Sequence, residues 1–250
     1  MGCQPDGRNI NLDCGALHVS KLRARVVAEG AMAGFAFDGD ADRCIGVSAS
    51  GAIVDGDAVL LMMARYLKSI GRLSSNDGTP LVVATVMSNL GFERALARDG
   101  ISLARTAVGD KYVLEEMVRR GAPIGGEQSG HLIFLEQATT GDGLLTALRV
   151  LEIMRATGQP LDALMDGLQV YPQKLVNVRV KERKPLSDLL VVNEAIQSAE
   201  RQLGAEGRVL VRFSGTEPLL RVMVEGPTDE SVNTHCASIA GAIRQELGSI

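Results

Sequence analysis

The sequence predicts an α/β fold over its first two thirds and a smaller α+β domain after it, on three observations. Short apolar runs alternate with segments of helical spacing from residue 33 to about residue 156. That alternation stops at Thr157-Gly158-Gln159-Pro160, a turn-rich break that marks the better domain boundary. Beyond it, apolar residues recur with period two and then give way to one closing amphipathic stretch.

Taken in order, the strands expected first are Ala33 to Phe37 and Ile45 to Ala49, each bounded by Gly, Asp or Ser. Asp57 to Lys68 carries apolar residues at helical spacing, and Leu81 to Val86 is the next strand, after the polar break from Gly71 to Pro80. Ser88 is the expected cap of a helix from Leu90 to Arg98. The strand Ile101 to Thr106 follows, then a helix capped by Asp110 and ended by Arg119-Arg120-Gly121. His131 to Leu135 reads as a strand and Gly141 to Ala156 as a helix. In the second domain the strands are Gln169 to Val180, Arg208 to Phe213 and Leu219 to Glu225, closed by a helix from Asp229 to Leu247.

With 250 residues, 46% of them hydrophobic, the chain can bury a substantial core, which excludes disorder. A net charge of -4 with no Lys/Arg-rich block gives no basis for nucleic-acid binding, so any anionic ligand must be drawn by local charge. Cys3, Cys14, Cys44 and Cys236 lie far apart, which argues against a zinc ribbon or a disulfide framework and for reduced thiols in a cytoplasmic protein. Met1 to Gly7 lacks signal-peptide character, and no apolar run approaches the ~20 residues of a membrane span.

Four loops carry chemistry. Asp38-Gly39-Asp40-Ala41-Asp42-Arg43 sets three carboxylates at every second position behind an apolar strand. Extended chain points alternate side chains to one side, so Asp38, Asp40 and Asp42 can converge on a divalent cation, for which magnesium is suited by its preference for oxygen ligands. The guanidinium of Arg43 fits a phosphoryl oxygen beside it. The competing reading is a solvated acidic loop. An EF-hand is excluded, because the sixth and twelfth positions are Arg43 and Ala49 rather than Gly and Glu. In Gly125-Gly126-Glu127-Gln128-Ser129-Gly130-His131, the Glu127 carboxylate can accept bonds from the vicinal hydroxyls of a sugar and Ser129 can add a further bond. His131 can move a proton or contact phosphate, or it can be a structural histidine opening a strand.

Val108-Gly109-Asp110-Lys111-Tyr112 places Lys111 in a first helical turn, against the helix dipole, which a phosphate or hydroxyl partner explains. Arg212-Phe213-Ser214-Gly215-Thr216-Glu217-Pro218 offers backbone amides and two hydroxyls between Arg212 and Arg221, the elements of a phosphate site, although an ordinary hairpin turn has the same residue types. Thr139 to Gly143 reads only as a turn and cap. Together a carboxylate metal loop, a sugar loop and a phosphate loop imply phosphoryl transfer on a phosphorylated sugar.

Asp38 to Arg43, Gly126 to His131 and Arg212 to Pro218 resemble, in order, the metal, sugar and phosphate loops of the α-D-phosphohexomutase family. Pro5 to Asn11, Thr85 to Gly91, Val108 to Tyr112 and Thr139 to Gly143 bring the finer resemblance to its bacterial hexosamine-phosphate branch. The resemblance implies phosphohexomutase-type mixed-sheet domains: the end of the second domain over 1–52, the third over 53–158 and the fourth over 159–250. It implies interconversion of glucosamine 6-phosphate and glucosamine 1-phosphate through a phosphoserine and a hexose bisphosphate, a step feeding UDP-N-acetylglucosamine and peptidoglycan synthesis. By the same resemblance Asp38, Asp40 and Asp42 bind Mg2+, and Arg43 lies near the phosphoserine. Glu127 and Ser129 hold sugar hydroxyls, and Arg212, Ser214, Gly215 and Thr216 take the phosphate that is not transferring. Whether Lys111 or His131 is the general acid or base stays open.

The nucleophilic serine of such enzymes stands in a Ser-His-Asn-Pro type loop, and no serine here is followed by His-Asn. The expectation is therefore a C-terminal portion that is inactive alone and self-associates through a truncated second domain. Two alternatives stand: a non-catalytic module binding magnesium and sugar phosphate, and a portion of a mannose- or glucose-specific mutase.

Overall fold

The computed structural model describes residues 1–214 and 217–248 and divides into two compact units, Met1–Gln169 and Val170–Ile250. In the first unit, α1 (Ser20–Glu29) precedes β1 (Ala33–Phe37), β2 (Cys44–Ser48) and β3 (Ile53–Val54), an antiparallel sheet in the order β1-β2-β3. The chain continues through α2 (Gly56–Ser69), β4 (Leu81–Thr85), α3 (Leu90–Arg98), β5 (Ser102–Thr106), α4 (Asp110–Arg120), β6 (Ile124–Gly126), β7 (Leu132–Phe134), α5 (Gly143–Thr157) and the single turn α6 (Leu161–Leu164). These strands form a second sheet, β5-β4-β6-β7, in which β4 runs parallel to β5 and β6 while β7 is antiparallel to β6.

All five residues of β4 are buried, as expected for a central strand covered on both faces. Val82 and Ala84 face a core shared with α2, α3 and α5, whereas Leu81 and Val83 face Val113 and Met117 of α4. The period of two thus sends alternate side chains into two layers and gives an α/β/α arrangement. Nearly the whole of α2 is inside, with Leu60, Leu61, Met62 and Met63 each no more than 1% exposed.

Two expected caps differ. The cap of α3 is Asn89, whose side chain accepts from the Gly91 N–H at 2.9 Å, so Ser88 lies one residue outside the helix. Asp110 is the first residue of α4 and not its cap. Gly109 takes that position with φ of 135°, a conformation that favours glycine, and no side chain caps the helix. The unit also extends past the Thr157–Pro160 break. Leu161 and Leu164 pack into the first core, and the Asp162 carboxylate accepts from the Ser48 hydroxyl at 2.7 Å, which ties α6 to the β2–β3 turn.

In the second unit, β8 (Gln173–Arg179), α7 (Leu190–Leu203), β9 (Arg208–Phe213), β10 (Leu219–Glu225) and α8 (Asp229–Leu247) form a two-layer α+β fold. The sheet is antiparallel with β10 central, in the order β8-β10-β9. Leu220, Val222 and Val224 point to one face, against Val192 and Ala199 of α7 and Val232, Ile239 and Ile243 of α8. Thr228 caps α8 by accepting from the Ser231 N–H at 3.2 Å. Helices α1 and α7 and the strand β6 are absent from the sequence reading; charge interrupts the apolar spacing of α1, and glycine cuts β6 short.

All four cysteines are free, and burial pushes the Cys44 thiol up to about 12. Among the described residues no helix is long and apolar enough to cross a membrane.

Candidate functional site

The β1–β2 connection carries the acidic loop. It turns through Ala41 at φ of 58°, which lets Asp38 and Asp42 approach each other. The Arg43 N–H donates to Asp38 Oδ1 at 3.2 Å, and the Arg43 guanidinium lies 3.8 Å from the other Asp38 oxygen. Burial, reinforced by a hydrogen bond and charge repulsion from Asp38, raises the Asp42 carboxyl above the usual carboxylate range, while His131 and Arg43 oppose the rise. Asp42 Oδ1 is buried and has no hydrogen-bond partner among the described residues. Two crowded carboxylates, one with an unsatisfied buried oxygen, are the donor chemistry that a hard divalent cation relieves. Asp40 stands exposed on the same loop, and among the described residues no three His, Cys, Asp or Glu side chains are grouped to hold a metal. The expected convergence of three aspartates is therefore not preformed: Asp38 and Asp42 meet, and Asp40 is not gathered with them.

The sugar loop is fastened directly to this acidic loop. Arg43 and His131 form an antiparallel bridge, and the Cys44 N–H donates to the Gly130 carbonyl at 3.1 Å. Gly130 permits that approach at φ of 94° with no room for a Cβ against the Cys44 carbonyl. His131, 5% exposed, places Nε2 3.6 Å from Asp42 Oδ2. The glycine-rich loop before α5 packs on both. The Gly143 N–H donates to the Ala41 carbonyl at 2.8 Å, and a Cβ on Gly141 would fall 2.5 Å from His131 Cδ2 and 2.7 Å from its Cε1. The segment read only as a turn thus braces the acidic loop and His131 together. Its short Gly-Asp-Gly spacing was visible in sequence, but what it packs against was not.

Glu127 is held at both carboxylate oxygens: the Gly109 N–H donates to Oε1 at 3.0 Å and the Ser129 hydroxyl to Oε2 at 3.2 Å. A cavity of about 430 Å3 is lined by residues 127–129 together with Asp55, Thr85, Met87 and Val108. Asp55 was not singled out in sequence, and Thr85 and Met87 entered only through the finer resemblance of Thr85 to Gly91, with no role given to them. A larger cavity, about 1110 Å3, is lined by residues from the N-terminal segment and from β1 through Gly39, and of the candidate metal, sugar and phosphate residues named above it includes Asp38 alone. Lys111 lies in the first turn of α4 but is 73% exposed at its side chain, 3.7 Å from Glu115. The 109 amide reaches the sugar loop; the Lys111 amine is not among the groups lining its cavity.

In the second unit, Arg212 and Arg221 are cross-strand partners on β9 and β10. Burial, and then the charge of Arg221, lowers the Arg212 guanidinium from its ordinary value. Arg221 Nε is buried with no hydrogen-bond partner among the described residues. Like charges directly opposite are unfavourable, and an anion between them would relieve the repulsion. Ser214 is buried, its N–H donating to the Leu219 carbonyl at 2.9 Å. Arg183, missed in sequence, donates to the Ser214 carbonyl at 2.7 Å and lies 5.9 Å over the Phe213 ring. Gly215 and Thr216 lie outside the described residues.

Two family models match the chain: phosphoglucomutase/phosphomannomutase, alpha/beta/alpha domain III, over residues 55–171, and phosphoglucomutase/phosphomannomutase, C-terminal domain, over residues 175–242. The chain is 60% identical over 246 residues to the phosphoglucosamine mutase of Solibacter usitatus, an alignment covering 98% of this chain and 54% of that one. It is 51% identical to the phosphoglucosamine mutase of Geobacillus thermodenitrificans, with 99% and 54% covered. The chain therefore spans about half the length of these relatives. In fold it is similar to the Aspergillus fumigatus N-acetylphosphoglucosamine mutase solved with GlcNAc-6P and magnesium, at 21% identity and a TM-score of 0.75 over 94% of this chain and 53% of that one. A phosphoglucomutase/phosphomannomutase family protein of Burkholderia thailandensis matches at 23% identity and a TM-score of 0.70, over 92% and 50%.

Proposed function

The chain belongs to the phosphoglucomutase/phosphomannomutase family, and from that premise we propose that it is the metal-, sugar- and phosphate-binding portion of a cytoplasmic phosphoglucosamine mutase. The reaction is interconversion of glucosamine 6-phosphate and glucosamine 1-phosphate through a bisphosphorylated sugar. The observation that carries this reading is the joining of the acidic and sugar loops through the Arg43–His131 bridge and the Cys44–Gly130 hydrogen bond. Relatives named for that activity, 60% and 51% identical, support the hexosamine over mannose or glucose. Residues 1–52 lie before the matched domain III and are proposed to complete the family's second domain.

Asp38 and Asp42, joined by Asp40 if the loop closes, would hold Mg2+, which would supply neutralisation of the charge on a transferring phosphoryl group. Arg43, held by Asp38, presents its guanidinium to phosphoryl oxygens. Glu127, already fixed by the Gly109 amide and Ser129, accepts from two sugar hydroxyls and orients the ring. His131, buried against Asp42, is placed to hold or move a proton near the reacting oxygens, whereas exposed Lys111 is better suited to charge attraction. Arg212, Arg221 and Ser214, with Gly215 and Thr216, take the phosphate that is not transferring.

No serine of the 250 residues precedes His-Asn, so the chain by itself is proposed to bind without turning over. An assay of this chain with glucosamine 6-phosphate and a hexose 1,6-bisphosphate tests it. Binding without product formation is expected; robust turnover would overturn the claim of inactivity.

A further inference from the structure

The turn that starts α2 is built into the cavity at the sugar loop, and none of its residues has a role in the reading above. Asp57 is 2% exposed, and its Oδ2 accepts the Asn89 N–H at 2.7 Å. Asn89 both caps α3 and ends the segment that carries Thr85 and Met87 into the cavity. Two residues earlier, the Asp55 carboxylate accepts from the Ala58 N–H at 3.0 Å and from the Gln128 side chain. Between them the Gly56 N–H donates to the Gln128 carbonyl at 3.0 Å, and a Cβ at Gly56 would overlap the Glu127 carbonyl oxygen. One turn of three residues therefore holds two of the segments that line the cavity.

A buried carboxylate is an unfavourable way to hold one amide. Burial, and then repulsion by Asp55, pushes Asp57 up to about 7, against the Asn89 amide, the Ser88 hydroxyl and Arg105. Packing alone would be served by an apolar residue of similar volume. What the carboxylate adds is a directed bond to a loop thirty-two positions away in sequence.

We propose that Asp57 is a positioning residue for the sugar site, fixing the β4–α3 loop while Asp55 and Gly56 fix residues 127–130, so that Thr85 and Met87 stand in register with Glu127 and Ser129. This deepens the proposed function and rests on it for the identity of the ligand, but the positioning itself does not need a ligand to be measured.

Amide hydrogen exchange on the full 250-residue chain and on Asp57→Ala, Asp57→Asn and Gln128→Ala tests the proposal, with magnesium and glucosamine 6-phosphate titrations beside it. Asp57→Ala is expected to raise exchange roughly tenfold in residues 86–89, the segment its carboxylate holds, and to leave residues 38–43 unchanged. Asp57→Asn, which keeps an oxygen facing the Asn89 amide, is expected to restore protection. Gln128→Ala is expected to loosen 127–130 alone. Glucosamine 6-phosphate affinity falls roughly tenfold in Asp57→Ala while magnesium affinity holds within about twofold. Unchanged exchange in residues 86–89 of Asp57→Ala, or an equal rise throughout the first unit, would overturn the proposal. If Asp57→Ala does not fold, Gln128→Ala and Asp57→Asn decide: it falls if exchange in 127–130 is unaltered by Gln128→Ala. Should the unmodified chain take up no glucosamine 6-phosphate, the functional reading fails, and the exchange data still decide the positioning role.

Discussion

Substituting Gly141 by alanine probes the brace between the α5 entry loop and His131. The added Cβ would sit 2.5 Å from His131 Cδ2 and 2.7 Å from Cε1, where carbon atoms ordinarily meet at ~3.5 Å or more. Relief requires a movement of ~1 Å. The ring has no free direction, since His131 is buried with 5% exposure and its backbone is bridged to Arg43. Gly141 itself is not at positive φ, so the cost is steric and not conformational. Overpacking of this kind destabilises by ~1–3 kcal/mol. The same displacement changes the 3.6 Å approach of His131 to Asp42, and a ~1 Å error at a reacting group costs up to ~100-fold in rate. Urea unfolding and magnesium calorimetry on the variant read both effects: lower unfolding free energy and weaker magnesium binding are expected. A variant within ~0.5 kcal/mol of the parent, with unchanged magnesium affinity, would refute the reasoning.

Three further outcomes follow from the same geometry. Folding raises Asp57 from 3.8 to about 7, so its contribution to stability is complete below about 3.8 and is lost as pH rises through about 7. Urea unfolding should then show the parent losing more stability than Asp57→Asn between pH 5 and pH 8, with a ceiling of ~3 kcal/mol over that window; parallel profiles would contradict this. Asp42→Asn removes the crowding with Asp38, so the metal-free chain should be no less stable while magnesium affinity falls at least roughly tenfold by calorimetry. Arg221→Leu removes a cross-strand like-charge pair of ~0.2–1 kcal/mol, so thermal melts should show the variant unchanged or stabilised without phosphate and no longer stabilised by adding it.

Much of the fold was legible where local pattern and burial agree. β1, β9, β10 and α8 fall where period two or helical spacing places them, because each presents a consistently apolar face to its core. The three-residue β6 was lost because Ile124-Gly125-Gly126 is too short and glycine-rich to show a period, although all three residues are buried. The unit boundary was placed early because Gly158 and Pro160 read as a terminus, while the contacts of Leu161 and Asp162 that retain α6 are long-range. At the site, charge patterning exposed Asp38, Asp42, Glu127 and the two arginines. It could not expose Asp55, Asp57, Gly141 or Arg183, which act through partners distant in sequence. It also placed Asp40 with its neighbours from alternation alone, whereas the turn at Ala41 leaves that residue exposed.

In the proposed function the acidic loop and the sugar loop make one site for magnesium and a hexosamine phosphate. Ligands that share a site change each other's affinity reciprocally. Magnesium calorimetry on this chain with and without saturating glucosamine 6-phosphate tests the claim directly. The predicted result is at least a roughly fivefold gain in magnesium affinity when the sugar phosphate is present; an affinity indifferent to glucosamine 6-phosphate would contradict it.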